Sequence, residues 1–240
     1  MATTAERFRE FWADKTSPMS RCDNPQSRRL LAKELRLLFG ERDPVSVLEI
    51  GCGNGCLFDS LDFSPRFYRG VDFAPRMLEI FRDTHPQLDL VLAEASSYVD
   101  ARTYDLILAH DVIAHFSLSM LARHCSNARR MMHSESLLVW ASIPWRPLRN
   151  SYDFGRWFNT GNASLLRWGK SRIRRMLGRD LMGRWYTTAE IIKVARQNSL
   201  RSRFHGSITH PYRFHAVLSL ASSSRNAGCG GTVGNTSGPG

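Results

Sequence analysis

Little in this chain is long, oily or rich in sulfur, and each shortage excludes something. No apolar run approaches the ~20 residues that a membrane-crossing helix needs. The opening stretch MATTAERFREFW is polar and amphipathic, without the apolar centre of a secretory leader, so a cytoplasmic location is expected. The five cysteines, Cys22, Cys52, Cys56, Cys125 and Cys229, are odd in number and lack C-x-x-C spacing. That argues against a disulfide framework and against a cysteine metal site, and no metal is expected. No segment repeats. Acidic residues run short in one place only: between Arg146 and Arg203, twelve arginines and two lysines face just Asp153, Asp180 and Glu190. The rest of the chain balances 19 basic against 19 acidic residues, so the formal net charge of +11 belongs to one segment. With 240 residues and 42% hydrophobic content, the chain suffices for one well-buried domain and is short for two.

What is present alternates regularly. Leu31, Leu35 and Leu38 at i, i+4, i+7 predict a helix over 26–40, with Leu30 and Leu37 widening the same stripe. A further helix is expected at 4–14. Strands at 67–72, 89–93, 104–109 and 136–143 alternate with helices at 75–83 and 117–131. The strands are short runs of Val, Ile and Leu, as expected for strands buried between helix layers. Repeated β-α units imply a parallel sheet with right-handed crossovers. From Pro144 to Tyr186 the pattern breaks. Four of the six tryptophans, Trp145, Trp157, Trp168 and Trp185, lie there among arginines, with a basic helix expected at 163–177. Thr187-Thr188-Ala189-Glu190 starts a helix that runs to Asn198, and strands at 201–208 and 212–220 follow. Residues 221–240 hold six glycines and four serines and are expected to be disordered.

The most informative run is Val47-Leu48-Glu49-Ile50-Gly51-Cys52-Gly53-Asn54-Gly55: an apolar strand, an acid near its end, then glycine at alternate positions. Glycine serves where the chain turns with φ > 0 or where a ligand must approach the backbone with no Cβ in the way. A strand entering such a loop is the nucleotide-binding corner of a doubly wound α/β sheet. Cys56, however, stands where the dinucleotide fingerprint wants its last small residue. Glu49 would repel a pyrophosphate and attract a cation. The pocket suits an adenosine ligand with a positive end and no phosphate.

With Tyr68–Arg82 (YRGVDFAPRMLEIFR), Leu92–Ser96 (LAEAS) and Tyr104–Phe116 (YDLILAHDVIAHF) following in order, the chain resembles the class I S-adenosylmethionine-dependent methyltransferases of the type 11/25 kind. Their first motif is E/D-x-G-x-G-x-G. The resemblance covers residues 45–143 well and the last two strands loosely. It implies an α/β fold with a Rossmann-like, seven-stranded, mostly parallel doubly wound sheet, helices on both faces, and S-adenosyl-L-methionine as cofactor. It also implies a layout: N-terminal helices over 1–44 covering the cofactor site, a methyltransferase domain over 45–220 with a basic substrate lid at 144–186, and a tail at 221–240.

The cofactor residues follow by position. Gly51, Cys52, Gly53, Asn54 and Gly55 form the loop. Asp72, 17 residues after Gly55, would accept the ribose hydroxyls, or else cap the helix that Pro75 begins. Glu49 would pair with the methionine ammonium, or form a strand-end salt bridge. The resemblance gives Glu94-Ala95 the pair that meets the adenine amino group, with Glu94 in place of the usual Asp; the alternative is a solvent-facing loop acid. Phe73 would pack on the adenine face or in the core.

Methyl transfer from a sulfonium is an in-line displacement, so the protein must align a nucleophile and remove its proton where needed. Residues for this should follow the fourth strand, where the chain reads His110-Asp111-Val112-Ile113-Ala114-His115-Phe116. His115 and His110 are the candidate bases, His110 also touching the cofactor, and Asp111 could orient one of them or act itself. The alternative is that this element only shapes the pocket. In the lid, Trp145, Arg146, Arg149, Trp157 and Tyr186 are the candidate acceptor contacts, since arginine grips phosphate or carboxylate and tryptophan stacks on rings. An anionic small-molecule acceptor is the reading preferred here over a merely solvated face, and over nucleic acid or a membrane surface. The chain has no N-P-P-[FY] element of the amino-methylating enzymes. His210-Pro211-Tyr212-Arg213-Phe214-His215 reads as the start of a strand rather than a site.

Overall fold

A computed structural model describes residues 25–40, 43–61, 64–155, 164–177 and 182–221. The expected helix at 4–14, Trp157 and the tail from 222 onward lie outside the described residues.

The described chain opens with α1 (Pro25–Phe39), one residue from the predicted span, and Gly40 at φ 82° ends it. Leu31, Leu35 and Leu38 are buried as the spacing requires. Leu30 and Leu37 are a correction: they are 60% and 77% exposed. At 3.6 residues per turn they sit about 100° round the helix from that stripe, outside its contact with the sheet.

Seven strands follow: β1 (Ser46–Ile50), β2 (Phe67–Asp72), β3 (Asp89–Leu92), β4 (Tyr104–His110), β5 (Met132–Pro144), β6 (Leu200–Gly206) and β7 (Arg213–Leu220). They form one sheet in the order β3-β2-β1-β4-β5-β7-β6. β1 to β5 are mutually parallel and β7 runs antiparallel between β5 and β6. Between them lie α2 (Phe58–Leu61), α3 (Pro75–Thr84), α4 (Leu118–Arg130), α5 (Arg149–Asp153), α6 (Ser164–Met176) and α7 (Thr188–Gln197). Ser117 caps α4 by accepting from the Met120 amide, and Thr187 with Glu190 forms a reciprocal capping box on α7.

Alternate residues of each strand feed two cores. On one face Leu48, Ile50, Ile107 and Trp140 pack under α4 and α7; on the other Val47, Tyr68, Leu106 and Val139 pack with α1 and Phe81 of α3. Strands covered on both faces explain the continuous apolar runs. Strand order reverses direction between β1 and β4, and in open α/β sheets the ligand crevice lies at that point, beyond the carboxyl ends.

One polar tie fixes α1 to the far end of the sheet. Glu34, 6% exposed, accepts from the Ile208 and Thr209 amides (2.5 and 3.1 Å) and the Thr209 hydroxyl (2.7 Å), and lies 3.0 Å from His215 Nε2. Burial alone would raise its pKa, but these hydrogen bonds outweigh it and hold the carboxyl at about 2. His110 and His124 are displaced by burial to about 4 and stay neutral. All three groups bind fewer protons folded than unfolded. Stability should therefore fall as pH drops, through the histidines from 6.5 to about 4 and through Glu34 from 4.5 to about 2. Urea denaturation followed across that range checks this, and Glu34→Gln should flatten the lower step.

Candidate functional site

The bend after β1 is a packing solution before it is a binding one. Gly51, Gly53 and Gly55 all have positive φ, 76°, 56° and 79°. They differ in what a Cβ would meet. At Gly51 it would lie 2.2 Å from Val112 Cγ2, and at Gly55 2.3 Å from the Phe81 ring. At Gly53 it would meet nothing within 4 Å. Two glycines thus let neighbouring elements close in, and Gly53 alone of the three faces open space. Cys52 is buried, and Asn54 is half-buried with its Oδ1 3.4 Å from the Cys56 amide.

Asp72 reaches the bend from the end of β2. Its Oδ2 accepts from the Gly53 amide and its Oδ1 from the Ala74 amide, both at 2.9 Å, so it braces the loop and the turn leading into α3 without capping that helix. Burial pushes its carboxyl above the ordinary value despite those bonds. Glu49 is also buried, and accepts from the Tyr68 hydroxyl at 2.6 Å. Phe73 beside Asp72 is half-buried, outside both core clusters. Glu94 turns toward its own loop, accepting from the Ser96 amide (3.0 Å) and hydroxyl (2.8 Å) with Arg123 3.7 Å away. Burial would raise its pKa; those partners hold it below the usual value. The carbonyl of Ala95 lies 3.2 Å from His124 Nδ1.

The end of β4 borders the same bend, because Ile50 pairs with Ala109 and Val112 seats on Gly51. Here Asp111 (φ 57°) and Ser142 (φ 59°), neighbours across β4 and β5, both adopt the left-handed conformation. Arg213 of β7, 2% exposed, holds the two, donating to Asp111 Oδ1 and to the Ser142 carbonyl. The Ser142 hydroxyl lies 3.1 Å from His110 Nε2, and its amide donates to His215 Nδ1 at 3.2 Å. Asp111 is thus ion-paired with Arg213. His115, half-buried, ends the short 3-10 turn Ile113–His115. Segment 182–186 straps that turn: the Arg184 amide donates to the Ala114 carbonyl at 2.6 Å and the Tyr186 hydroxyl to the Phe116 carbonyl at 2.6 Å. Gly183, φ 68°, admits the strap, since a Cβ there would sit 2.2 Å from the Ala114 oxygen and 3.2 Å from His115 Nδ1. Sequence reasoning missed Arg213, Ser142, Glu34 and Gly183. The polar run 210–215 was the one local sign of Arg213.

Beyond β5, Trp145 bridges to Tyr186, which is fully buried. Arg146 lies 2.7 and 2.8 Å from the two Glu190 oxygens, and Arg184 reaches the first at 2.9 Å. Burial would raise the Glu190 pKa, but the Thr187 amide, the two arginines and the Thr187 hydroxyl together hold it at about 2. Arg149 pairs with buried Asp153 at 3.3 Å and stacks 4.8 Å over the Trp185 ring. Both arginines are therefore taken up by acids of their own segment.

Residues 47–135 match a family model described as a methyltransferase domain. This stretch belongs to the methyltransferase-domain family. The methyltransferase domain also has the fold of solved enzymes. A magnesium protoporphyrin IX methyltransferase from Synechocystis PCC 6803 with bound SAH is 14% identical with TM-score 0.59, covering 90% of this chain and 93% of that one. The N-methyltransferase NodS from Bradyrhizobium japonicum WM9, in complex with S-adenosyl-L-homocysteine, is 16% identical with TM-score 0.59, over 91% and 99%. The plantazolicin methyltransferase BpumL is 15% identical with TM-score 0.62, over 90% and 95%. No curated protein sequence matches the chain.

The unequal glycines of the methyltransferase domain give a contrast. Gly53→Ala should cost only the left-handed backbone penalty, about 1–2 kcal/mol. Gly55→Ala should add overpacking against Phe81, about 1–3 kcal/mol more. Urea denaturation of the two variants measures the difference.

Proposed function

We propose that this methyltransferase domain takes S-adenosyl-L-methionine on the glycine bend and passes its methyl group to a small-molecule acceptor held beside His110–His115. The observation that carries the reading is Gly53: an open, side-chain-free position at the switch point, beside the buried Asp72 carboxylate. Asp72 can accept ribose hydroxyls there. Glu49 lies one strand inward, its charge favouring a cationic ligand end over a pyrophosphate, and Phe73 and Glu94-Ala95 flank the place for a base. When bound, the cofactor supplies an activated methyl on sulfur, whose departure leaves a neutral thioether. The residues of this chain then hold the acceptor in line, exclude water and remove a proton if the acceptor carries one. We assign that proton to His115. His115 takes that role by residue type and by its place at the end of the turn after β4, while His110 beside Ser142 and Asp111 on Arg213 take positioning roles. An anionic acceptor would draw on arginines other than Arg146 and Arg149, which Glu190 and Asp153 already engage.

Calorimetric titration with the cofactor, followed by an acceptor screen, tests this. Asp72→Ala should weaken cofactor affinity by about 1.5–3 kcal/mol through loss of a charged hydrogen bond. Gly53→Val should abolish binding while the chain stays folded by circular dichroism. His115→Ala should keep cofactor affinity and lower kcat by about 100-fold; an unchanged kcat would return His115 to the pocket wall. NADH displacing the cofactor would point to a dehydrogenase instead. Acceptor turnover on RNA, with binding that falls steeply with salt, would point to a nucleic-acid methyltransferase.

A further inference from the structure

α6 has two unlike sides. On one, Trp168 stacks on Phe154 with centroids 5.8 Å apart and planes 13° from parallel, and the Ser171 hydroxyl donates to Asp153 Oδ1 at 2.7 Å. That side is fastened to α5. On the other, at spacing i, i+3, i+4, Ile173, Met176 and Leu177 are 58%, 84% and 53% exposed. Exposed Lys170, Arg172 and Arg174 flank them. Residues 164–177 carry five basic side chains and no acidic one.

Each kind of partner would use this face differently. Nucleic acid would take the cations but gains nothing from three aliphatic chains turned the same way. A protein interface is depleted of charge at its centre, whereas here three cations crowd the aliphatic chains. An anionic lipid surface uses both features, since its phosphates draw lysine and arginine while the aliphatic chains enter between headgroups. Place matters too. The segment carrying α6 leaves the sheet at Trp145 and rejoins it at Tyr186, the two residues bridged, and its return passes Gly183 against Ala114 beside His115. The helix is thus tethered to the rim that carries His110–His115.

We propose that α6 docks the protein on an anionic lipid surface through Ile173, Met176 and Leu177 with their flanking cations. The docking brings the His110–His115 rim to that surface. If the function proposed above holds, the acceptor is an amphiphilic molecule resident at the interface, and the surplus positive charge serves the surface.

The test uses the whole chain and co-sedimentation with vesicles of about one part phosphatidylglycerol to three parts phosphatidylcholine, against phosphatidylcholine alone. Binding should be at least about tenfold tighter with the anionic lipid. Two double variants, Ile173→Asp with Met176→Asp and Arg172→Glu with Arg174→Glu, should each lose about tenfold or more, whereas Ile173→Leu with Met176→Leu should keep it. Cofactor titration should be unchanged in all three, which also shows them folded. No preference for anionic vesicles overturns the proposal. So does loss on charge reversal with none on the aspartate variant, because charge alone would then suffice, as it would for a short RNA used as competitor. Vesicle binding without any cofactor binding would remove the methyl-transfer reading and leave the docking standing.

Discussion

The steric constraint at the bend after β1 governs the arrangement around it. Val112 and the Phe81 ring press on the chain where Gly51 and Gly55 carry no Cβ, and between them Gly53 is left uncovered. Because the first two contacts are van der Waals walls, the bend cannot relax toward either neighbour. The open position is therefore held at a fixed distance from Asp72, whose hydrogen bond to the Gly53 amide spans β1 and β2. Pre-set geometry of this kind spares a ligand the cost of ordering the loop.

A second constraint lies one strand over. Asp111 and Ser142 both keep a left-handed backbone that costs energy in an L-residue, and Arg213 touches both. The buried guanidinium needs the Asp111 carboxylate, and the carboxylate is aimed only while the backbone stays strained. Bulging β5 at Ser142 turns its hydroxyl to His110 and its amide to His215, which in turn lies against Glu34. Sheet end, histidine and α1 are one polar assembly.

Much of the fold was legible because its signals are local. β2 falls on its predicted residues 67–72, and the spans of α1, α3, α4, α6 and α7 differ from expectation by only a residue or so at either end. β5 starts four residues earlier than expected, at Met132, because its polar opening residues carry no strand pattern; the Ser136 hydroxyl binds the Tyr104 carbonyl there instead. The bend at Gly53 and the place of Asp72 at the end of β2 were legible for the same reason, one run of glycines and one strand end. Arg213 and Glu34 were not. Their partners Asp111 and His215 stand 102 and 181 residues away; the polar run 210–215 marks Arg213 without pointing to Asp111, and nothing near Glu34 points to His215. Arg146 and Arg149 show the converse: they suit an anion by type, but the structure finds them acids at Glu190 and Asp153.

Arg213 comes from the last strand, and this has a consequence for biosynthesis. A ribosome delivers the glycine bend, Asp72 and Asp111 long before it delivers β7, and among the described strands β6 pairs with β7 alone and so joins the sheet through it. Until β7 is in place, Arg213 is missing from both Asp111 and Ser142. The nascent chain thus completes the glycine bend early and the clamp on Asp111 and Ser142 only once translation has passed residue 213, so a prematurely terminated product would lose that clamp first.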